Sequence, residues 1–257
     1  MLDELHPVGK LANFRDLGGL AGVHGVIKPG VLYRSDDLAT IDEEEAERLA
    51  SKGLSLIIDL RSSDEVSKGR GPLREYDIDY LNLPLLQHSG YSHNLEELLA
   101  PGALTNEMLG RWYFEVFSKS LPLIIEGLHA IAGAKGAVVF HCAIGKDRTG
   151  VFAAALHAAL GTHREHIVRD FARTEDNLSR VLTRLRSADP FWTKEVIEKS
   201  GVLLRAHPEA MISFLDNVHA SGATLEEILV EGGATATLFA NLREMALSES
   251  PEHGGRQ

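Results

Sequence analysis

Cys142 is the only cysteine in the chain, and it stands in Val138-Val139-Phe140-His141-Cys142-Ala143-Ile144-Gly145-Lys146-Asp147-Arg148-Thr149-Gly150. An apolar run precedes it and a second apolar stretch follows, so the intervening loop opens at the N-terminus of a helix. Backbone N–H groups there point into a concavity, and the helix dipole favours an anion. Gly145 lets the backbone turn in close, and Arg148 adds a planar fork matched to phosphate oxygens. Residues Ala143 to Arg148 would then hold a tetrahedral oxyanion over the Cys142 sulfur, an arrangement suited to in-line attack on phosphorus. An ordinary thiol is only ~3% ionised at pH 7, and the field that binds an anion also favours the nucleophilic thiolate. His141 and the Thr149 hydroxyl are placed to orient the loop and to donate toward the sulfur. A lone cysteine is most often a buried core thiol. The coincidence of Gly145, Arg148, Thr149 and Gly150 between a strand and a helix decides for the reactive reading.

These residues need elements to hold them. Leu54-Ser55-Leu56-Ile57-Ile58-Asp59-Leu60 is a nearly continuous apolar run, the signature of a strand covered on both faces. Ala137 to Phe140 is a shorter buried strand, and Tyr80-Leu81-Asn82-Leu83-Pro84-Leu85 is weaker, demoted by its proline. Gly150 to Leu160 is apolar nearly all round, as in a core helix, and Gly161 ends it. Earlier, Thr40 and Glu43 predict a capping box for a helix with Ile41, Ala46 and Leu49 on its apolar face and Gly53 at C′. From Thr105 to Ala132, Leu109, Tyr113, Val116, Leu121, Ile124, Leu128 and Ile131 recur at helical spacing. Pro122 splits that stretch, with Ser120 capping the second helix. Beyond Thr162 the pattern is helical almost throughout. Strands alternating with helices early, then helices alone, predict a three-layer α/β domain with a helical appendage.

The 257 residues are 44% apolar and 25% charged, an ordinary globular composition with ample core. No run of 18 apolar residues is present, so no integral membrane segment is expected. The first seven residues lack the basic and apolar regions of a secretory signal. One cysteine allows no intramolecular disulfide and fits a reducing compartment. The expected location is therefore the cytoplasm, or export without a cleavable signal. With 26 basic and 37 acidic residues the net charge is −11, which disfavours nucleic acid and anionic membranes as partners. An anionic substrate must be caught by a local cationic site. Between Thr162 and Arg186, six arginines outnumber four acids above the stripe Leu178, Val181, Leu182 and Leu185. A solvated helix face is the simpler reading of them; drawing substrate inward through Arg180 and Arg184 is the alternative. His163 and His166 lack companion ligands, so no metal site and no cofactor are expected. A single domain is expected over 1–247, with 248–257 as a flexible tail; the pattern sets no oligomeric state.

His-Cys-x5-Arg resembles the signature loop of the cysteine-dependent protein tyrosine phosphatases. The fuller Cys142-x-x-Gly145-Lys146-Asp147-Arg148-Thr149-Gly150 is similar to that of the atypical bacterial tyrosine and phosphoinositide phosphatases. Asn13-Phe14-Arg15-Asp16-Leu17-Gly18-Gly19, Tyr33-Arg34-Ser35 and Asp59-Leu60-Arg61 also match that family, and the resemblance covers most of residues 8 to 245. It implies an α/β fold with a central mixed sheet wrapped by helices and a C-terminal helical lid, here approximately 162–220. It implies Asp147 as general acid, since Trp112 and Trp192 are not followed by the Pro-Asp of the familiar enzymes. Asp59 and Asp16 are the runners-up, and Asp59 and Arg61 are otherwise supporting residues. A lysine at the place of Lys146 is associated, by the same resemblance, with inositol phosphates.

The expected function is therefore hydrolysis of phosphomonoesters through a cysteinyl-phosphate intermediate. Substrates would be a phosphotyrosine protein, with phosphoserine, phosphothreonine or a phosphoinositide as further members of the class. Cys142 would attack, the loop amides and Arg148 would stabilise the equatorial oxygens, and Asp147 would protonate the leaving oxygen. The alternative is a non-catalytic phosphate-binding module, which would be expected to lose the nucleophile. A thiol enzyme of the arsenate-reductase kind needs resolving cysteines that the chain lacks.

Overall fold

Five strands form the central sheet in the spatial order β1 (Arg15–Asp16), β4 (Leu32–Ser35), β7 (Ala137–His141), β5 (Leu54–Asp59) and β6 (Asp79–Asn82). This computed structural model describes residues 11–67, 69–85, 104–188 and 193–248. β1 runs antiparallel to β4, whereas β4, β7, β5 and β6 are mutually parallel, so the sheet is mixed. Alternation along the strands, shifted by one residue at an irregularity between Leu54 and Leu56 of β5, decides what each face meets. Leu32, Leu56, Ile58, Val138 and Phe140 join the larger core, whereas Tyr33, Leu54, Ile57, Ala137 and Val139 join a smaller one on the other side. Apolar side chains on both faces explain the unbroken hydrophobic run of β5. β6 is an edge strand that stops before Pro84, where the missing N–H would have interrupted a ladder.

The smaller core is covered by α1 (Glu43–Ala50) and by 3-10 turns at Leu38–Thr40 and Pro72–Glu75. Asp42, rather than Thr40, caps α1: its carboxylate accepts from the Glu45 N–H at 3.0 Å. Thr40 closes the preceding turn instead, donating to the Asp37 carbonyl at 2.8 Å. On the opposite face lie α3 (Asn106–Lys119), α4 (Leu121–Ala132) and α5 (Asp147–Ala159), while α2 (Ser63–Val66) is a single turn after β5. Pro122 occupies the first turn of α4, where its missing N–H costs nothing. Ser120 does sit at the junction, but its hydroxyl donates to the Leu85 carbonyl at 2.5 Å and does not cap α4. α5 is buried along almost its whole length and ends before Gly161, whose φ of +72° favours glycine.

The late chain comprises α6 (Arg164–Ala172), α7 (Leu178–Ala188), α8 (Lys194–Lys199), α9 (Pro208–Ala220), α10 (Leu225–Glu231) and α11 (Ala236–Ala246). Not all of the expected lid stretch is peripheral. α9 buries Ala210, Met211, Phe214 and Val218 along α3, with the Phe117 and Phe214 rings 6.0 Å apart, and α6 buries Ile167 and Phe171. Both helices belong to the core. Leu247–Ser248 forms β8, which joins β2 (Ala21–Gly22) and β3 (Gly25–Ile27) in a second small sheet. The ordered pairing thus reaches Ser248, and residues 249–257 of the expected tail lie outside the described residues. Among the described residues no helix is long and apolar enough to cross a membrane.

Candidate active site

Register places the site. Ser35 of β4 pairs with His141 of β7, and Asp59 of β5 pairs with the same His141. Three parallel strands therefore end side by side, and the chain leaves the central one directly into Cys142. Crevices at the carboxyl ends of parallel strands are where α/β folds bind ligands. Cys142 is 1% exposed at the base of the loop. Gly145 has a φ of +71°, and a Cβ there would stand 2.6 Å from the Ser35 carbonyl, so only glycine lets the loop press against β4.

The loop is held from behind through its carbonyls. Ala143 O accepts from the Asp37 N–H at 3.2 Å, and Ile144 O from Asn13 Nδ2 at 3.1 Å. Gly145 O accepts from Asn13 Nδ2 at 3.0 Å and from Arg34 Nη2 at 2.8 Å, while Lys146 O accepts from the Gly150 N–H. In a trans peptide unit C=O and N–H point in opposite directions. Pulling the carbonyls of 143, 144 and 145 outward aims the N–H groups of Ile144, Gly145 and Lys146 into the bowl. The result is a ring of backbone donors at the N-terminus of α5, an arrangement whose chemistry suits an anion.

A buried charge cluster supports that grip. Asp170 of α6 bonds Arg15 Nε at 2.8 Å and Arg34 Nη1 at 2.5 Å, all three side chains being almost fully buried. Burial would raise the Asp170 carboxyl, but Arg15, Arg34 and His157 hold it well below the usual range. Arg15 itself is lowered to about 10, first by burial and then by its neighbour Arg34. Arg15 Nη1 also fixes the Asn13 side-chain oxygen at 2.5 Å, leaving the Asn13 amide nitrogen to serve the loop.

Arg148, in the first turn of α5, is gripped by Glu65 of α2 through two bonds of 2.5 and 2.9 Å. Glu65 Oε2 also accepts from the Ser62 N–H and hydroxyl, closing a capping box. Burial would raise Glu65, yet the hydrogen bond and charge of Arg148, with Ser62, lower it to about 2. One carboxylate thus starts a helix and fixes the guanidinium.

Asp59 is fully buried beneath His141, 3.6 Å from Nε2, and accepts from Arg61 Nε and Nη2 and from the Tyr80 hydroxyl. Burial opposes its charge, but His141 and Arg61 together lower it to about 2. Arg61 turns its remaining nitrogen to Asp37 at 3.0 Å, so it clamps the rim of the loop. His141 is pushed down by burial, and its Nδ1 lies 3.3 Å from the Cys142 carbonyl. Asp16 is committed elsewhere, accepting from the Gly18 and Gly30 N–H groups to fasten a turn.

Asp147 is buried in the first turn of α5, and its Oδ1 accepts from the Tyr113 hydroxyl at 2.6 Å and faces Lys146 Nζ at 3.2 Å. Lys146 is fully buried, and its ammonium also donates to the carbonyls of Leu203 and Arg205. It therefore does not stand at the rim as a loose cation. The Thr149 hydroxyl is buried without a hydrogen-bond partner among the described residues, so it does not donate to Cys142 here. Arg180 donates to the Leu11 carbonyl, and Arg184 binds Asp36 at 3.1 Å and Thr40. Sequence reasoning missed Glu65, Asp170 and Tyr113. Only Glu65 carried a local signal, the Ser62-x-x-Glu65 pattern following Asp59-Leu60-Arg61.

Residues 6–248 match the pattern of the tyrosine phosphatase family. A putative tyrosine-protein phosphatase of Cupriavidus necator is 32% identical over 166 residues, 63% of this chain and 59% of that protein. The triple specificity protein phosphatase PtpB of Mycobacterium tuberculosis is 29% identical over 197 residues, 67% of this chain and 70% of that one. The match thus spans about three fifths of the first relative's length and about two thirds of the second's. Among solved structures, TpbA of P. aeruginosa matches with a TM-score of 0.32 at 16% identity, covering 72% of this chain and 94% of that one.

Proposed function

Since the chain belongs to the tyrosine phosphatase family, we propose that it hydrolyses phosphomonoesters, phosphotyrosine first among them, through a cysteinyl-phosphate intermediate. One observation carries the reading: three loop carbonyls are tied outward over Cys142 while Arg148 is fixed beside them by Glu65. Such a bowl is complementary to three equatorial phosphoryl oxygens, whose charge it meets with preorganised donors. The Cys142 Sγ–P bond forms as the bond from phosphorus to the ester oxygen breaks, and the departing oxygen takes its proton from Asp147. Water then attacks phosphorus, the S–P bond breaks, Asp147 recovers a proton from that water, and inorganic phosphate leaves with the thiolate restored. Asp147 is favoured over Asp59 and Asp16 because Asp59 is enclosed by Arg61 and Tyr80 and Asp16 staples a turn. Thr149 keeps an uncommitted donor for the sulfur.

Substrate range follows from the rim. The buried Lys146 ammonium is taken up by two carbonyls and by its ion pair with Asp147, which favours a simple phosphomonoester over an inositol phosphate as the group recognised. Phosphoserine, phosphothreonine and phosphoinositides belong in the assay panel, all the more because the M. tuberculosis relative is named for triple specificity. The test is turnover of an aryl phosphate followed by acid quench. Trapped protein should carry one phosphoryl group on Cys142, and Cys142→Ser should bind phosphate yet lose turnover by on the order of 10⁴-fold or more. Phosphate binding without turnover by the unaltered chain would establish the non-catalytic alternative.

A further inference from the structure

Asp147 presents two oxygens, and the structure treats them differently. Oδ1 accepts from the Tyr113 hydroxyl at 2.6 Å and is paired with Lys146 Nζ at 3.2 Å. Among the described residues nothing donates to Oδ2. A carboxylic acid carries its proton on one oxygen, and an oxygen that already accepts a hydrogen bond and faces an ammonium charge is the poorer place for it. Neither donor is loosely held. Tyr113 is fully buried on α3, and its ring is held edge-on to Phe171 at 5.8 Å. Lys146 is locked by the Leu203 and Arg205 carbonyls from the segment after α8.

We infer that Tyr113 is a positioning residue for the general acid: its hydroxyl, with the Lys146 ammonium, occupies Oδ1 of Asp147 and assigns the transferable proton to Oδ2. This rests on the reading of Asp147 as acid. The proton passes from Oδ2 to the departing ester oxygen, and the carboxylate left behind is stabilised at Oδ1 by the Tyr113 hydroxyl and the Lys146 charge already in place. Tyr113 never gives up its own proton. The groups facing Asp147 are Tyr113 from α3 and Lys146 from the loop; the other charged groups of the bowl are Arg148, held by Glu65, and the Cys142 thiol.

Tyr113→Phe keeps the ring and removes one donor. Turnover should fall about tenfold more for an alkyl ester such as a phosphoserine peptide than for 4-nitrophenyl phosphate, whose leaving group needs little protonation. The alkaline limb of the kcat profile should move to higher pH, because a carboxylate that loses a donor holds its proton longer. Lys146→Met should shift the leaving-group ratio in the same direction. In an Asp147→Asn background Tyr113→Phe should change the ratio by less than about twofold. A leaving-group-dependent loss in Asp147→Asn with an unchanged ratio and limb in Tyr113→Phe overturns the role of Tyr113 and leaves the acid intact. Equal losses on both esters in Asp147→Asn overturn the acid assignment itself.

Discussion

Two arginine-rich regions face opposite fates in this molecule. Around the Cys142 loop, Arg15, Arg34 and Arg148 are buried or nearly so, and each is held by a carboxylate from another element. Along α7, Arg180 and Arg184 are only partly exposed and reach back to the chain near Leu11, Asp36 and Thr40. Both regions look cationic in the sequence. Only the first is built around the Cys142 loop, where Arg34 ties back the Gly145 carbonyl and Glu65 fixes Arg148 in the first turn of α5. The second spends its donors on fastening α7 to the N-terminal segment. What a cation does is decided by its partner, not by local charge density.

The largest expected effect comes from breaking the first region at its root. Arg34→Met removes one of the two arginines on Asp170 and one of the two donors to the Gly145 carbonyl inside the core. A buried pair broken on one side costs ~3–5 kcal/mol, and for a chain this long that lowers Tm by on the order of 10 °C. Phosphate affinity should fall in parallel, since Gly145 O is then held by Asn13 alone. A variant as stable as the parent, measured by calorimetry, would show that the cluster does not support the loop.

A smaller effect, with a pH signature, belongs to the Arg148–Glu65 grip. The Glu65 carboxyl is lowered from 4.5 to about 2 in the fold, with burial opposing and Arg148 and Ser62 more than compensating. A depressed carboxylate stabilises the fold fully above its unfolded value, and the contribution is lost as pH falls from about 4.5 toward 2. Glu65→Gln should lower Tm near pH 7, by the ~1–3 kcal/mol of a charged hydrogen bond, and flatten the fall of Tm over that acid window. Parallel curves for the two proteins would separate Glu65 from Arg148.

Legibility followed the range of the interactions. The loop from His141 to Gly150 was readable because strand, turn and helix are contiguous and each leaves a local mark. The sheet's buried strands were readable for the same reason, from the runs at Leu54–Leu60 and Ala137–Phe140. α1 was misplaced by two residues because Thr40 and Asp42 both make plausible caps, and only the geometry shows which oxygen meets an N–H. Asp170 could not be read as a support of the loop: it is 155 residues from Arg15 and 136 from Arg34. The burial of Lys146 was hidden from the sequence for a related reason. Its acceptors are backbone carbonyls, which leave no trace in residue type.

The mildest change tests the other half of the comparison. Arg180→Gln with Arg184→Gln removes a bond to the Leu11 carbonyl and an ion pair with Asp36 that is partly open to solvent. Partly exposed pairs of this kind contribute ~0.2–1 kcal/mol, so the double variant should lose no more than a few degrees in Tm. If the arginines only fasten α7, KM for an aryl phosphate and for an inositol phosphate should change by the same factor, because neither substrate meets them. Substrate gathering would instead raise KM selectively for the more highly charged inositol phosphate, and the effect would weaken with added salt as screening replaced the lost cations. A selective, salt-sensitive rise would return α7 to the role that its charge count suggests, and would make the two arginine regions partners in capture instead of opposites.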